Sequence, residues 1–412
     1  MSQATHREAL SALDPSQPGR FADGSWRETF ARLRADDPVH YCADSPTGPY
    51  WSVTRHGDIK AVDMNHQLFS SEVGGITIAE PELDEAIRLD NFIAMDEPKH
   101  SAQRKAVAPS VAPTNLARLE PLIRERVVDI LEHLPVGTPF NWVPAVSVEL
   151  TARMLATLFE FPYEDRHKLI HWSDITTASP ELMGEAGVTR EVRAAAFKDC
   201  AETFMGLWND RAAKPPQADL ISMLVHGEST RDMHTRPTEF LGNIMLLIVG
   251  GNDTTRNSIS GGVLALNQQP EEMAKLRNDP TLIPNMVAEM IRWQSPVIHM
   301  RRTVQADVEF QGKAFKKGDK VVMWYLSGNR DETVFEDADK LRIDRPNARA
   351  HVSFGFGVHR CMGNRLAELQ LRILWEELLA RFSSIEVVGD AVFNPNNFIH
   401  GIADLPVVLK RA

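Results

Sequence analysis

The chain has 412 residues and a formal net charge of −11 at pH 7, and no stretch concentrates its basic residues, which argues against nucleic acid as the main partner. Its 43% hydrophobic and 25% charged residues are typical of a water-soluble globular protein. The three cysteines, Cys42, Cys200 and Cys361, show no paired spacing, which excludes a disulfide framework or a zinc site and fits a reducing cytosol.

The N-terminal segment has no apolar core of the kind that signal peptides and membrane anchors require. The longest strongly apolar run, Ile244 to Val249, is too short to span a bilayer. Glycine and proline are spread along the chain and mark no linker. We therefore predict a cytoplasmic protein without a transmembrane segment, folded as a single domain over residues 1–412.

The first half of the chain predicts mostly helices. Residues 50–62 indicate a short strand pair leading into a helix, and a glycine-containing loop region follows over about residues 72–95. Apolar residues at helical spacing predict a helix from Leu116 to Leu134, and another fits Val146 to Phe159. Over residues 160–235, helical and polar stretches alternate with weak boundaries.

Pro237 and Pro270 bracket an uninterrupted helical pattern, which predicts a buried helix about 45–50 Å long. Strand signals appear late in the chain, at Val308 to Phe315 and at Asp319 to Tyr325. The order contains no alternating βαβ pattern. The predicted fold class is therefore mainly α with a minor β region.

A glycine-rich loop, Phe354 to Gly363, presents Cys361 directly before a helix-forming run. The unsatisfied N–H groups at a helix N-terminus stabilise a thiolate. Gly357 and Gly363 allow the backbone to approach a flat partner closely, and Phe354 shields the sulfur from water. This combination favours Cys361 as a metal ligand, the axial thiolate of a haem iron. We interpret Cys42 and Cys200 as packing residues.

Gly250, Gly251, Asp253 and Thr254 lie within the long helix. A glycine inside a helix costs about 1 kcal/mol relative to alanine, so two in succession need a reason. Close packing of another helix is one reason. The other is room for a ligand, with Thr254 bending or opening the hydrogen-bond ladder. Asp253 and Thr254 form an acid–alcohol pair that can relay protons as catalytic residues.

The cysteine loop and the GGNDTT segment together resemble the cytochrome P-450 monooxygenases. The resemblance implies the fold of that family, with haem b between the long central helix and the helix behind the cysteine. It extends to an ExxR pair, Glu289 and Arg292, placed between these two segments. In the family an arginine before the cysteine loop joins this pair, and Arg345 fits. We interpret the trio as structural.

The resemblance also nominates partners for the two haem propionates. These are His100 and Arg104 in the segment HSAQR, Arg302 in MRRTVQAD, and His359 two residues before the cysteine. Arg301 beside Arg302 leaves a one-residue ambiguity. The alternative for His100 and Arg104 is an exposed pair on a helix.

Electrons are expected from separate proteins, because no flavin or iron–sulfur segment follows the cysteine helix. The resemblance implies O2 as co-substrate and a ferredoxin with its reductase, supplied ultimately by NAD(P)H. A local basic patch would steer an acidic ferredoxin. The candidate cations are Lys99, Arg360, Arg365 and Arg372, and scattered solvated charges are the equal alternative.

The segments GGNDTTRNS, MIRWQSPVIHMRRT and GDKVVMWYLSGNRD resemble the soluble bacterial alkane hydroxylases of this superfamily. The expected reaction is hydroxylation of the terminal methyl of medium-chain n-alkanes, or of related fatty acids and alcohols. The substrate-facing residues implied by family topology are all apolar, which suits a hydrophobic guest. They are Ile76, Ile78, Leu246, Val249, Val297, Ile298, Met300, Phe398 and Ile399.

Three alternatives stay open. A terpenoid or steroid hydroxylase would use the same machinery with a wider pocket. A peroxide-driven fatty-acid hydroxylase is disfavoured because Asp253 and Thr254 supply the pair needed for O2 activation. A non-catalytic haem sensor or carrier would not need that pair.

Overall fold

The computed structural model describes residues 9–84, 86–178 and 188–412. The described residues are mainly α-helical, which confirms the predicted class. Their α-helices, in chain order, are α1 (Gly19–Asp23), α2 (Trp26–Asp36), α3 (His56–Met64), α4 (Lys99–Val107), α5 (Pro113–Glu132), α6 (Glu149–Phe159), α7 (His167–Thr177), α8 (Arg190–Ala212), α9 (Leu220–His226), α10 (Pro237–Gln268), α11 (Pro270–Asn278), α12 (Ile283–Gln294), α13 (Tyr325–Gly328) and α14 (Asn364–Arg381).

The strands are short, with two to six residues each. In chain order they are β1 (Val39–Cys42), β2 (Tyr50–Val53), β3 (Phe69–Ser70), β4 (Phe140–Asn141), β5 (His299–Val304), β6 (Val308–Phe310), β7 (Lys313–Phe315), β8 (Lys320–Trp324), β9 (Phe382–Val387), β10 (Val392–Phe393), β11 (Ile402–Asp404) and β12 (Pro406–Arg411).

The largest sheet has five strands in the order β1-β2-β8-β5-β3. Strands β2 and β8 pair in parallel, whereas the other neighbours are antiparallel. A second sheet has the order β4-β12-β9, and β6 with β7 and β10 with β11 form two-stranded ribbons. Sheet pairing brings β5, from late in the chain, against β3 near its beginning.

Helix α10 runs through the core, and its 32 residues extend roughly 48 Å. Two glycines in its second half allow α12 to approach closely. A Cβ atom at Gly261 would lie 2.2 Å from Gln294 Oε1, and one at Gly262 would lie 2.7 Å from Met290 Sδ. The side chains of α5, α10, α12 and α14 form one large apolar cluster at this contact. This packing fixes α14, and therefore the cysteine loop, relative to α10.

The predicted helices agree with α5, α6 and α10, and α10 ends at Gln268, just before the bracketing Pro270. A π-helical stretch, Val143–Val148, precedes α6. The prediction of a strand pair within residues 50–62 was wrong: β2 is the strand there, and it pairs with β1 at residues 39–42. The segment 308–315 is a hairpin of two strands. Part of the predicted region 160–235 (residues 179–187) lies outside the described residues.

Cys42 and Cys200 are buried in separate apolar clusters, as expected for packing residues. Within the part of the chain that the structure describes, no helix is both long enough and apolar enough to cross a membrane.

Candidate active site

The loop before α14 holds Cys361 at the N-terminal end of that helix. The Cys361 N–H donates to the Phe354 carbonyl at 2.7 Å, which closes the loop. Gly355 and Gly357 have φ values of +64° and +66°, a conformation that glycine adopts without strain. Although Cys361 keeps accessible surface, the protein around its sulfur raises the pKa of the thiol by desolvation. The Gly363 N–H and the Arg104 guanidinium act in the opposite direction and favour the thiolate.

The two glycines of the GGNDTT segment have different surroundings. A Cβ atom at Gly250 would meet nothing within 4 Å, so the helix backbone is open there. A Cβ atom at Gly251 would lie 2.8 Å from Leu155 Cδ2 on α6, so this glycine permits helix packing. Close helix packing therefore explains Gly251, whereas Gly250 leaves room for a ligand. The Thr254 hydroxyl donates to the Gly250 carbonyl at 2.9 Å, and α10 continues through this point without a break.

The carboxylate of Asp253 is buried on the α7 side of the long helix. It forms an ion pair with Arg256 at 2.8 Å, and Ser173 of α7 donates to its other oxygen at 3.3 Å. The Asn252 side chain donates to it at 3.0 Å. Burial raises the pKa of Asp253, and the charge of Arg256 opposes that rise. In this arrangement the carboxylate contacts α7 and Arg256 rather than Thr254.

The four candidate propionate partners converge around the cysteine loop. The ring nitrogens of His100 lie 2.7 Å from the Phe92 carbonyl and 3.1 Å from the Val358 carbonyl. Both partners are acceptors, so a neutral ring donates to only one of them. Arg104 donates to the Arg360 carbonyl at 2.6 Å. The rings of His100 and His359 lie with their centroids 4.0 Å apart. His100 is fully buried, which contradicts the alternative of an exposed helix pair.

Arg301 and Arg302 are neighbours on β5, but their side chains have different partners. Arg302 forms a buried ion pair with Asp63 at 2.9 Å, and the same carboxylate bonds to the cysteine loop. Arg301 instead reaches the Ala79 carbonyl at 3.2 Å and Glu80 at 3.3 Å. Successive side chains of a strand point to opposite faces, so only one of the two can face the cysteine loop. The geometry favours Arg302.

These residues fit a haem group. His359 Nε2 lies 3.1 Å from the Ser71 hydroxyl, while the buried Nδ1 has no partner in the described chain. A ring with its proton on Nδ1 could donate to a propionate beside Arg302. Gly250 leaves the helix backbone open, and the Cys361 sulfur has the backbone amides of Gly363 and Asn364 as donors around it. The donor set matches an anionic, flat cofactor with a thiolate-bound iron.

Glu289 joins the cysteine-loop region to α12 through two arginines. Arg292 donates to both carboxylate oxygens of Glu289 at 2.7 Å, and Arg345 Nε donates to the same two at 2.9 and 3.0 Å. All three side chains are buried. Arg292 also donates to the Asn329 and Ala338 carbonyls at 2.7 Å. The trio holds irregular backbone in place, as expected of a structural element.

Comparisons with known proteins agree with this geometry. The sequence profile of the family "Cytochrome P-450" matches residues 154–402. Linalool 8-monooxygenase from Pseudomonas putida is 37% identical, over 96% of this chain and 98% of that protein. The chain belongs to the cytochrome P-450 family. It is a P-450 monooxygenase, so the non-catalytic sensor is set aside.

Two further relatives of this P-450 are informative. Methyl-branched lipid omega-hydroxylase from Mycobacterium tuberculosis is 31% identical, over 92% of this chain and 90% of that protein. The solved structure of CYP153D17 from Sphingomonas sp. PAMC 26605 superposes with a TM-score of 0.91 at 45% identity, covering 98% of this chain and all of that one. The P-450 fold is therefore shown along nearly the whole chain.

The predicted substrate-facing residues of the P-450 fall into two groups. One group keeps accessible surface: Ile76, Leu246, Val249, Val297, Met300 and Phe398. The other group is buried: Ile78, Ile298 and Ile399. Ile78 and Ile298 belong to an apolar cluster with Trp324 and Leu326, next to the five-stranded sheet. Both side chains are packed inside this cluster, which does not favour the predicted contact with substrate.

His299, which the sequence did not single out, connects two segments that carry predicted substrate-facing residues, one at Ile78 and the other at Phe398. Its Nε2 accepts a hydrogen bond from the Ile78 N–H at 3.0 Å, and its Nδ1–H donates to the Asn397 carbonyl at 2.7 Å. Burial lowers the pKa of His299 to about 4, so the ring is neutral at physiological pH. The only sequence signal was a histidine within an apolar run.

The predicted basic patch is weaker than expected. Arg372 pairs with Glu120 and Glu376, and Lys99 lies 3.7 Å from Glu239. Arg360 and Arg365 are exposed and line a shallow cavity of about 260 Å³ beside the cysteine loop. These two residues are the better candidates for contact with an acidic partner.

Proposed function

We propose that this P-450 hydroxylates the terminal (omega) methyl of medium-chain n-alkanes or of related fatty acids and alcohols. The observation that carries the proposal is the apolar character of the accessible wall residues, which include Leu246, Val249, Val297 and Met300. No charged side chain is among the predicted lining residues. The name of the omega-hydroxylase relative supports attack at a chain end.

Terminal attack is demanding because internal C–H bonds are weaker than those of a methyl group. Discrimination must therefore come from positioning, with the chain end alone brought to the reacting centre. Val297 and Phe398 stand on segments held together by backbone pairing, since the Ile298 N–H donates to the Phe398 carbonyl at 2.9 Å. His299 braces the same two segments. A rigid wall of this kind suits a narrow channel.

Haem, when bound with Cys361 as its thiolate ligand, supplies the activation of O2 and the insertion of one oxygen atom into a C–H bond. We assign Cys361, His359, Arg302, His100 and Arg104 to holding it, the last two mainly through the backbone they fix. Phe354, Gly357 and Gly363 shape the loop. On the facing helix, Gly250 leaves the backbone open and Gly251 allows close packing against α6.

Asp253 and Thr254 manage protons in the proposed reaction. Burial raises the pKa of Asp253, so its carboxyl group can hold a proton closer to neutral pH than an exposed aspartate can. In the described conformation Asp253 bonds to Arg256 and Ser173. Transfer to the Thr254 hydroxyl therefore requires the carboxylate to release Arg256. The Thr254 oxygen would then accept that proton, while its own hydroxyl proton would leave the Gly250 carbonyl and pass on to the reacting centre.

Electrons are proposed to come from NAD(P)H through a ferredoxin reductase and a ferredoxin. Arg360 and Arg365 lie beside the cysteine loop, where a negatively charged ferredoxin would approach closest to the thiolate. We further propose that residues 1–412 act as one catalytic domain in the cytoplasm.

A second candidate is hydroxylation of a terpenoid, because linalool 8-monooxygenase is 37% identical over 96% of the chain. This substrate class needs a wider pocket than a linear chain does. A steroid hydroxylase would need a wider one still. The two substrate classes differ in shape but need the same haem chemistry. Measuring which substrate binds and is hydroxylated therefore distinguishes the two candidates.

The test is a spectral titration of the ferric protein with octane, octanoic acid and linalool, followed by product analysis with a ferredoxin system. A low- to high-spin shift with the linear chains, together with 1-octanol as product, supports terminal hydroxylation. A shift confined to linalool overturns it and favours the second candidate. Thr254→Ala is the matched mechanistic variant: it should keep the spin shift while lowering the product formed per NADH consumed.

A further inference from the structure

Asp63, near the end of α3, is a buried carboxylate that three donors share. Arg302 of β5 donates to Oδ1 at 2.9 Å. The Tyr325 hydroxyl and the Phe356 N–H donate to Oδ2 at 2.8 and 3.0 Å. The side chain of Asp63 is 1% exposed. None of the motifs in the sequence includes this residue.

The backbone of Asp63 also contacts the cysteine loop. A Cβ atom at Gly357 would lie 2.6 Å from the Asp63 carbonyl oxygen, so only glycine allows this approach without a shift. The positive φ of Gly357 restricts the position in the same way. The end of α3 therefore holds the loop at two points, by packing against Gly357 and by bonding to the Phe356 N–H.

We propose that Asp63 is a positioning residue of the haem site, which fixes the cysteine loop and Arg302 relative to each other. One carboxylate oxygen faces Arg302, a candidate propionate partner, and the other faces the loop that presents Cys361. The two sides of the haem, thiolate and propionate, are thereby linked through a single buried side chain. The inference rests on the proposed haem ligands but not on the proposed substrate.

The charge of Asp63 has a second consequence. Arg302 is 3% exposed, and Asp63 is the carboxylate that neutralises it. Without that negative charge the site becomes more positive, which favours the reduced iron over the oxidised iron. Asp63 therefore holds the reduction potential of the haem lower than an uncompensated Arg302 would allow.

Asp63→Asn tests both consequences because all three partners are donors. A carboxylate accepts at both oxygens, whereas an amide accepts at only one, so the variant must lose the Arg302 side or the loop side. The variant therefore loses a hydrogen bond to a charged acceptor, which is stronger than one between neutral groups. We expect amide hydrogen exchange in the peptide covering residues 354–361 of the haem-loaded protein to accelerate about tenfold or more. We also expect the reduction potential to rise.

Asp58→Asn is the matched control. Asp58 lies on the same helix, is 9% exposed against 1% for Asp63, and accepts from Gln311 outside the haem site. It should change neither the loop exchange nor the potential. Unchanged exchange and potential in Asp63→Asn, or equal changes in Asp58→Asn, would overturn the proposal.

Should Asp63→Asn not accumulate as folded protein, Tyr325→Phe removes a single donor from the same carboxylate. It is expected to give a smaller acceleration in the same peptide, and no acceleration there would equally overturn the proposal. A failed substrate titration leaves these readouts unaffected. The proposed function and this inference can therefore fail separately.

Discussion

Replacing Gly250 by alanine should make this P-450 more stable. The position lies in the middle of a long helix, has helical backbone, and an added Cβ would meet no atom within 4 Å. Alanine is favoured over glycine in a helix interior by about 0.5–1 kcal/mol, because glycine loses more backbone entropy on folding. With no contact to oppose it, this gain should appear almost undiminished in the free energy of unfolding.

At two other glycines of α10, replacement by alanine should lower the free energy of unfolding. A Cβ at Gly242 would lie 2.1 Å from the backbone oxygen of Asp90, and one at Gly261 would lie 2.2 Å from Gln294 Oε1. Inserting a methyl group into packed surroundings costs about 1–3 kcal/mol, and a backbone atom has little room to move away. The helix-propensity gain is common to both positions, so Gly242→Ala should be less stable than Gly250→Ala by about 1–3 kcal/mol.

The assay is urea unfolding of the haem-free variants, followed by far-ultraviolet circular dichroism, because haem would occupy the open space beside Gly250. For a chain of this size, m is about 3 kcal/mol per molar urea or more, so the midpoint of Gly250→Ala should rise by no more than about 0.3 M. The midpoint of Gly242→Ala should fall. A lower midpoint for Gly250→Ala, or an unchanged one for Gly242→Ala, would refute the assignment of open and packed glycines.

Four further outcomes can be checked. The folded chain keeps His299 neutral down to about pH 4, whereas the unfolded chain binds a proton near the ordinary pKa of 6.5, so stability should fall as pH drops between these values. Urea midpoints at pH 7.5 and 5 should show a weaker fall in His299→Asn. Val297→Phe should change which chain lengths cause a spin shift at nearly unchanged stability, whereas Ile298→Ala should cost about 2–5 kcal/mol of stability in urea unfolding. Cys361→Ser should abolish the thiolate absorption band of the carbon monoxide complex, and a retained band would remove the ligand assignment. Glu289→Gln leaves two buried guanidinium groups without a carboxylate and should lower the free energy of unfolding by about 3 kcal/mol or more, measured with urea; a loss below 1 kcal/mol would contradict the structural interpretation.

Features that reside in short segments could be predicted from the order of residues alone. The loop around Cys361, the GGNDTT segment and the ExxR pair each depend on neighbouring residues, whose chemistry can be read without knowing the fold. The long helix was equally accessible, because its apolar pattern is continuous and prolines bound it. Local signals of this kind were sufficient for the class of fold and for the family.

The tertiary structure alone decided the relations between distant segments. Asp63 and Arg302 are 239 residues apart, and no periodicity marks either as the partner of the other. Contacts with distant segments likewise decide which of Arg301 and Arg302 bonds to Asp63, and they withdraw Ile78 and Ile298 into the core. The face that a strand residue presents depends on which chain packs against it, and that is settled only when the whole molecule folds.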